Sequence, residues 1–351
     1  MMKKHTLFCG ICFLCSIFIN PAFANRGAFD YERWDNVISN IRNRAQQQKI
    51  SESVIDETLK TPDFIPSIIK SDRNQSEFTL TMDEYLNRMV SQTRIQIGTK
   101  KKSEYPTLLN RTSTKFGVPK NVLLAFWGME SNYGKNKSKY QLRDAFITLI
   151  YDGRREEFFT KQLLALMKIA DKNKLKINSI HGSWAGAMGH FQFIPTTLEQ
   201  YGVDGNNDGH VDIINSIGDA MYSAANYLNK LGWKKDEKIV QRVIIPADID
   251  RKFLNGDVKK SITEWANLGV MTTDSIQLVP NDTIVGIVAD TKEIAKMDLE
   301  EKSAELDPDV DIAPKPVIYG YLTYPNFYRI KRWNNSSWYA IAIGELSEKL
   351  K

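Results

Sequence analysis

The stretch "AFWGMESNYG", residues 125–134, surrounds a single carboxylate with apolar side chains and then ends in polar residues. Phe126, Trp127 and Met129 stand beside Glu130 in this stretch. Burying a carboxylate without a partner is costly. The stretch therefore predicts a helix end with one of two roles for its glutamate. Glu130 either caps or pairs locally, or it has a pKa that is raised by lost hydration and suited to acid catalysis.

The whole chain has 351 residues and a formal net charge of +5. This length is enough for one large domain or for two to three small ones. The mild positive charge is compatible with an anionic polymer as partner. We expect no nucleic-acid partner, because the sequence has no stripe of Arg and Lys with interleaved aromatic residues.

The first 24 residues have the features of a cleaved secretory signal. Lys3 and Lys4 precede an apolar run, Leu7–Ile19, and a small-x-small pattern ends at Ala24. The chain's cysteines all lie inside this segment and follow no convincing lipobox: Cys9, Cys12 and Cys15. We therefore expect an exported mature chain, residues 25–351, without a disulfide, a lipid or a stable membrane anchor.

Hydrophobic periodicity predicts an α+β fold that is mainly α. Apolar residues at three-to-four spacing predict helices over Tyr31–Gln47, Ser51–Leu59, Met82–Ile97, Asn121–Met129, Glu156–Asp171, Ile217–Leu231 and Trp338–Leu350. Short β-branched runs between turn residues predict strands within 239–246, 274–280 and 282–289, and 319–328 indicates strand or loop. The charged, mostly acidic stretch 291–316 is interpreted as an exposed insertion or linker.

A second motif, "GSWAGAMGHFQFIPTT", covers residues 182–197. Its glycines allow close approach of the backbone to another group. Ser183 and Gln192 are the polar side chains available there. The motif indicates a site wall, or else a tight structural turn that precedes a helix.

A third motif, "DGNNDGHVD" at 204–212, has the ligand spacing of an EF-hand loop. Positions 1, 3, 5, 7 and 9 are Asp204, Asn206, Asp208, the carbonyl of His210, and Asp212. Position 12 is Asn215 rather than glutamate, and Asp219 is the acid that could supply the missing charge. The alternative is an Asx-rich turn without metal.

A fourth stretch, "RWNNSSWY" at 332–339, combines aromatic and amide side chains. Together with Tyr227 and Tyr85 it could line a cleft for sugar rings, which offer apolar faces and hydroxyl edges. By composition alone such residues are more often core.

These four motifs, in this order from about Phe78 to Ile343, resemble the lytic murein transglycosylase B family, glycoside hydrolase family 103. The resemblance implies a lysozyme-like helical core, an extra helical domain and a small β-rich domain. It also implies cleavage of the β-1,4 bond between N-acetylmuramic acid and N-acetylglucosamine in peptidoglycan. The secretory signal predicts a soluble protein in the periplasm of a Gram-negative cell.

The resemblance assigns roles to individual residues. Glu130 matches the catalytic acid, and the residues that match positions lining the cleft are Ser183, Gln192, Tyr227, Trp333, Asn334, Tyr339 and, by counting back from Glu130, Tyr85. Trp333 stands where the family commonly has tyrosine. The resemblance further implies a structural Ca²⁺, no organic cofactor, glycan strands as substrate, a monomer, and other cell-wall enzymes as candidate partners.

The resemblance also implies a division of the chain. We predict a signal peptide at 1–24, an N-terminal helical region at 25–103, and a catalytic core with the EF-hand-like loop at 104–235. A β-rich region with the acidic insertion follows at 236–317, and a C-terminal segment at 318–351 completes the cleft.

The motifs contain one acid where ordinary glycosidases use two. A transglycosylase needs only one, because Glu130 can protonate the leaving oxygen and then accept the proton of the C6 hydroxyl as it attacks C1. The product is a 1,6-anhydro sugar. Two alternatives stay open: a lysozyme-type hydrolase, and a non-catalytic, calcium-dependent peptidoglycan-binding protein.

Overall fold

The computed structural model describes residues 29–74, 80–136, 138–292, 294–296, 299 and 317–351. The predicted signal peptide and most of the predicted insertion at 291–316 lie outside the described residues. Within these ranges, no helix combines the length and the apolar character that crossing a membrane requires.

Helices dominate the described chain and confirm the mainly α prediction. They are α1 Tyr31–Gln47, α2 Glu52–Leu59, α3 Pro66–Arg73, α4 Met82–Met89, α5 Gln92–Glu104, α6 Pro106–Phe116, α7 Lys120–Ser131, α8 Leu142–Asp152, α9 Glu156–Asn173, α10 Pro195–Tyr201, α11 Ile217–Lys230, α12 Ile262–Asn267, α13 Pro325–Trp333 and α14 Ser337–Lys349. Several of these helices are capped at the N-terminus by a side chain that accepts a hydrogen bond from a first-turn backbone amide. The capping residues include Asp30, Thr81, Ser216 and Ser336.

The single helix predicted over Met82–Ile97 is wrong, because the chain forms two helices there. Helix α4 ends at Met89, and Ser91 adopts an extended backbone with φ −67° and ψ 149°. The Ser91 side chain accepts a hydrogen bond from the amide of Arg94 and so begins α5. A serine that offers the backbone a cap interrupts a periodic pattern that continues on both sides of it.

The β-rich part is one antiparallel sheet in the order β4-β6-β7-β3-β5. Its strands are β3 Val240–Ile245, β4 Asn255–Ser261, β5 Met271–Thr272, β6 Ile284–Ala289 and β7 Ile318–Thr323, and a separate pair joins β1 Tyr140–Gln141 to β2 His181–Gly182. The predicted strands within 239–246 and 282–289 are confirmed. The one within 274–280 is wrong: an isolated bridge from Gln277 to Met271 is what this stretch forms.

Two hydrophobic cores hold these elements. The larger core joins α1, α7, α8 and α14. One fully buried side chain from each of these helices illustrates it: Ile41, Phe126, Phe146 and Ile341. The smaller core lies within the β-rich part around Trp265, whose indole N–H donates to the carbonyl of Val285 at 3.0 Å. The domain boundaries given above stay predictions.

Arg143 connects α8 to the end of α2. Its Nη1 atom donates to the carbonyl oxygens of Glu57, Thr58 and Lys60 at 2.9, 3.3 and 3.0 Å, and the residue is 8% exposed. A cation at a helix C-terminus satisfies orphan carbonyls and complements the helix dipole.

We predict that Arg143→Leu lowers the free energy of unfolding by about 2 to 3 kcal/mol, because buried carbonyls lose charge-assisted bonds. Arg42→Leu is the matched control, since Arg42 of α1 forms exposed ion pairs with Glu52 and Asp56 of α2, the helix that Arg143 also contacts. Exposed pairs contribute less than about 1 kcal/mol. Urea denaturation of both variants measures the difference, and equal losses would contradict this role of Arg143.

Candidate active site

Helix α7 positions the catalytic candidate at its C-terminal end. Pro119 precedes the helix, and Asn132 ends it in the left-handed conformation with φ 49°. Residues 126 and 130 share one face and residues 127 and 131 share the next, because helical neighbours recur every three to four residues. Phe126 and Trp127 are 0% and 1% exposed, so the helix is buried on both faces.

Two hydrogen bonds reach the same oxygen of Glu130. The indole Nε1 of Trp333 donates to Oε1 at 2.9 Å, and the hydroxyl of Tyr339 donates to Oε1 at 2.5 Å. These bonds favour the charged carboxylate, but burial outweighs them and raises the pKa of Glu130 from 4.5 to about 7. The pKa of Tyr339 is raised well above its usual value by burial and by the charge of Glu130, so its hydroxyl stays a donor.

Glu130 is partly exposed as a residue, although its carboxyl group is surrounded by protein atoms. Part of the residue touches solvent, whereas the pKa depends on all the protein atoms that surround the carboxyl group. Within the described residues Oε2 receives no hydrogen bond, and it is not among the enclosed polar atoms that lack a partner. Oε2 is therefore the carboxyl oxygen that is free to carry the acidic proton.

Aromatic rings form the wall beside Glu130. The ring of Trp333 lies 4.8 Å from that of Phe126, 5.3 Å from Phe193 and 5.1 Å from Tyr227. Tyr227 also stacks on Tyr201 at 4.6 Å and donates to the carbonyl of Arg332 at 3.3 Å. Trp333 and Tyr339 thus hold the acid itself, whereas the sequence indicated contacts with sugar.

Tyr85 comes from α4 and is 5% exposed. Its ring lies 5.7 Å from that of Trp338. Burial and the charge of Glu130 raise the pKa of Tyr85. Tyr85 thus packs against Trp338, the residue that precedes Tyr339, and Tyr339 bonds to Glu130.

The glycine-rich motif makes local bonds. The hydroxyl of Ser183 accepts from the amide of Ala187 at 3.1 Å, and Gln192 donates from Nε2 to the carbonyl of Gly189 at 2.9 Å. Gln192 has φ 48°, in the left-handed region that side chains other than glycine seldom occupy. Such strain is common at functional sites. Asn334 is exposed and its Oδ1 accepts from the amide of Ser336, which shapes the turn between α13 and α14.

The EF-hand-like loop is organised by its own side chains. Asp204 accepts from the amides of residues 207, 208 and 209, Asn206 from that of 208, Asp208 from that of 210, and Asp212 from those of 214 and 215. Asp219 is fully buried and accepts from the amides of Gly205, Asn206 and Asp212. In the described part of the chain, no group of three or more His, Cys, Asp or Glu is placed to hold a metal ion. The all-oxygen donor set suits calcium, while the carboxylates are turned to the loop amides.

Sequence reasoning missed two residues that shape the site, Phe193 and Tyr201. Phe126, which the sequence already places beside Glu130, precedes it by one helical turn. Phe193 and Tyr201 carry no local signal, because their contacts with Trp333 and Tyr227 join distant parts of the chain.

A model of the family described as "Transglycosylase SLT domain" matches residues 33–348. The membrane-bound lytic murein transglycosylase B of Escherichia coli (strain K12) is 28% identical over 270 residues, which are 75% of this chain and 66% of that protein. The match thus spans just under two thirds of that relative's length.

Two solved structures of lytic transglycosylases are similar to this chain over most of its length. SltB3 from Pseudomonas aeruginosa, in complex with NAG-NAM-pentapeptide, has 30% identity and a TM-score of 0.78, over 90% of this chain and 79% of that one. The Escherichia coli lytic transglycosylase Slt35, in complex with calcium, has 25% identity and a TM-score of 0.71, over 91% and 92%. These similarities confirm the predicted fold class, with its lysozyme-like core. The chain belongs to the transglycosylase SLT domain family.

Proposed function

We propose that this protein is a lytic transglycosylase that cleaves the β-1,4 bond between N-acetylmuramic acid and N-acetylglucosamine in peptidoglycan. The observation that carries the proposal is the environment of Glu130: a pKa of about 7, two donors on Oε1 and an open Oε2. Family membership supports the substrate. The predicted signal peptide supports a site of action in the periplasm.

The first step uses the protonated form of Glu130. With Oε1 occupied by Trp333 and Tyr339, the proton resides on Oε2 and passes to the glycosidic oxygen as the bond to C1 breaks. Positive charge then develops at C1, where the substrate's own 2-acetamido group can stabilise it. A pKa near the working pH makes one group both a competent acid and, afterwards, a competent base.

The second step uses the carboxylate that the first leaves behind. The two donors on Oε1 stabilise this charged form while Oε2 accepts the proton of the C6 hydroxyl, whose oxygen attacks C1. A 1,6-anhydro sugar forms and Glu130 regains its proton. The causes that set the pKa of Glu130 are burial and these two hydrogen bonds.

Other residues are assigned to the cleft as part of this proposal. Ser183, Gln192, Tyr227 and Asn334 would contact the glycan, while the charge of Glu130 raises the pKa of Tyr85. Mass spectrometry of released muropeptides decides between the proposal and its rivals: anhydro ends support it, reducing ends indicate a hydrolase, and no release indicates a binding protein.

We predict that Glu130→Gln reduces lysis of cell walls at least about 10²-fold, because an amide can neither donate nor accept the proton. The amide oxygen can still accept from Trp333 and Tyr339, so the folded structure should persist. Glu345→Gln is the matched control, since burial raises the pKa of Glu345 and it bonds to the hydroxyl of Tyr321. Turbidity assays should show full activity for the control, and Glu130→Gln activity above a tenth of wild type would refute the assignment.

We predict that Tyr339→Phe moves the alkaline limb of the activity profile to higher pH, by on the order of one unit. The lost hydrogen bond stabilises the carboxylate, so its removal raises the pKa of Glu130 and preserves the acid form at higher pH. Tyr324→Phe is the control, because the Tyr324 hydroxyl bonds to Gln241 in the β-rich part. A limb that stays in place, or moves down, would contradict the role given to Tyr339.

We further propose that the loop at 204–212 binds Ca²⁺ as a structural ion. Asp204, Asn206, Asp208, the His210 carbonyl and Asp212 would hold it, and rotation of carboxylates away from loop amides would accompany binding. The calcium complex of Slt35 supports this assignment. Asp219, which bonds the loop amides from inside, would stabilise the loop rather than contact the ion.

We predict that millimolar Ca²⁺ raises the melting temperature, because an ion that binds the folded state alone stabilises it. With Asn215 at position 12, we expect affinity in the range of about 10⁻⁴ to 10⁻³ M. Asp208→Ala should abolish the response. Asp257→Ala is the control, since Asn255 and Asp257 form the same side-chain pair as Asn206 and Asp208 outside the loop. No response to Ca²⁺ or to EDTA in wild type would refute the site.

A further inference from the structure

Helix α13 brings Trp333 to Glu130, and its first turn is bonded to the chain that follows α11. Asn326 is fully buried in this turn. Its Nδ2 atom donates to the carbonyl oxygens of Lys234 and Glu237 at 2.8 and 3.2 Å, and its Oδ1 atom accepts from the amide of Lys234 at 2.9 Å. The side chain therefore binds both backbone groups of one residue and fixes the start of α13.

A second contact lies at the middle of α13. The Nε atom of Arg329 donates to the carbonyl of Gly232 at 2.7 Å. Gly232 has φ 87° and ends α11 in a Schellman motif, in which its amide donates to the carbonyl of Asn229 at 2.8 Å and the amide of Trp233 donates to that of Leu228 at 3.1 Å. The left-handed glycine turns the chain at this point, and its own carbonyl is bound by Arg329.

A third contact lies at the end of α13. The hydroxyl of Tyr227 donates to the carbonyl of Arg332 at 3.3 Å, and its ring lies 5.1 Å from that of Trp333. The three contacts pair residues in reverse order: 326 with 234, 329 with 232, and 332–333 with 227. Helix α13 therefore runs antiparallel to residues 227–234 and is held at its start, its middle and its end.

These contacts bear on the acid through the indole of Trp333. Residues 326, 329 and 333 share one face of α13, because they are three, four and seven positions apart. About 10 Å of helix separate Asn326 from Trp333, the last residue of α13. A hydrogen bond weakens when its donor moves by a few tenths of an ångström or turns out of line. A tilt of α13 would therefore weaken the bond of 2.9 Å from Trp333 to Glu130.

We propose that Asn326 and Arg329 are positioning residues that act through α13 to hold the indole N–H of Trp333 against Oε1 of Glu130. The inference rests on the proposed function, in which Glu130 transfers the proton. The bond from Trp333 favours the carboxylate and lowers the pKa of Glu130. Loss of either positioning residue should therefore raise that pKa, although each acts from another part of α13.

The test follows the pKa of Glu130 by NMR titration of protein labelled with ¹³C in the glutamate side-chain carboxyl groups, with Glu130→Gln to assign the signal. Trp333→Phe should raise this pKa by on the order of one unit. Arg329→Leu should raise it by about half a unit, since the bond weakens without being removed. Arg329→Lys keeps a donor for the carbonyl and should stay near wild type.

Arg143→Leu is the matched control. It also removes bonds from a guanidinium to backbone carbonyls, but these join α8 to α2. It should lower stability and leave the pKa of Glu130 in place, which separates positioning from general loss of stability.

A double-mutant cycle decides whether Arg329 acts through the indole. In the Trp333→Phe background, Arg329→Leu should no longer change the pKa of Glu130. Asn326→Asp, which loses both donated bonds, gives a second variant for the same cycle. Equal shifts in both backgrounds, no shift in either single variant, or a shift to lower pKa would overturn the proposal. If the wild-type protein does not cleave peptidoglycan, the proposed function fails, and the titration still decides whether these residues position Trp333.

Discussion

The loss of water around one carboxyl group is the constraint on which the site depends. Raising the pKa of Glu130 from 4.5 to about 7 corresponds to about 3 kcal/mol at pH above 7, at 1.36 kcal/mol per unit. The unfolded chain ionises this group more readily, so the penalty is absent below about pH 4.5, grows as pH rises and is complete above about pH 7. Against a typical total stability of 5 to 15 kcal/mol, the fold must offset this cost elsewhere, and the large core around α7 is where it does so.

The donors that limit this cost come from far along the chain. Trp333 and Tyr339 are 203 and 209 residues from Glu130 in sequence. Strand β7 ends at Thr323 and α13 begins at Pro325, so the β-rich part leads directly into the helix that delivers Trp333. The sheet therefore influences the site by fixing where α13 and α14 dock on α7. This explains how the β-rich part contributes to the site although it supplies no acid residue.

The sequence could predict what is local. The helix that ends near Glu130, the loop with acids at alternating positions and the last helix all follow from spacing and turn residues, and the structure contains them. What depends on long-range contact could not be predicted, such as the bond that Trp333 donates to the acid. The contacts of Asp219 span only 7 to 14 residues, but the spacing of the acids does not tell which of them accept from the loop amides. The break at Ser91 and the absence of a full strand at 274–280 are failures of another kind, because there a cap or a loop outweighs the hydrophobic period.

The 3.6-residue period of α7 separates two environments at one helix end. Residues 126 and 130 face aromatic rings that exclude water, as the proposed proton transfer requires. Residues 127 and 131 face His190 instead: the indole of Trp127 donates to its imidazole, and the hydroxyl of Ser131 donates to its carbonyl. Were these polar contacts and their water on the face of Glu130, better hydration of the carboxylate would lower the pKa that the proposed mechanism needs. Because they lie about 100° around the helix from the acid, they fix the helix end and leave the carboxyl group dry.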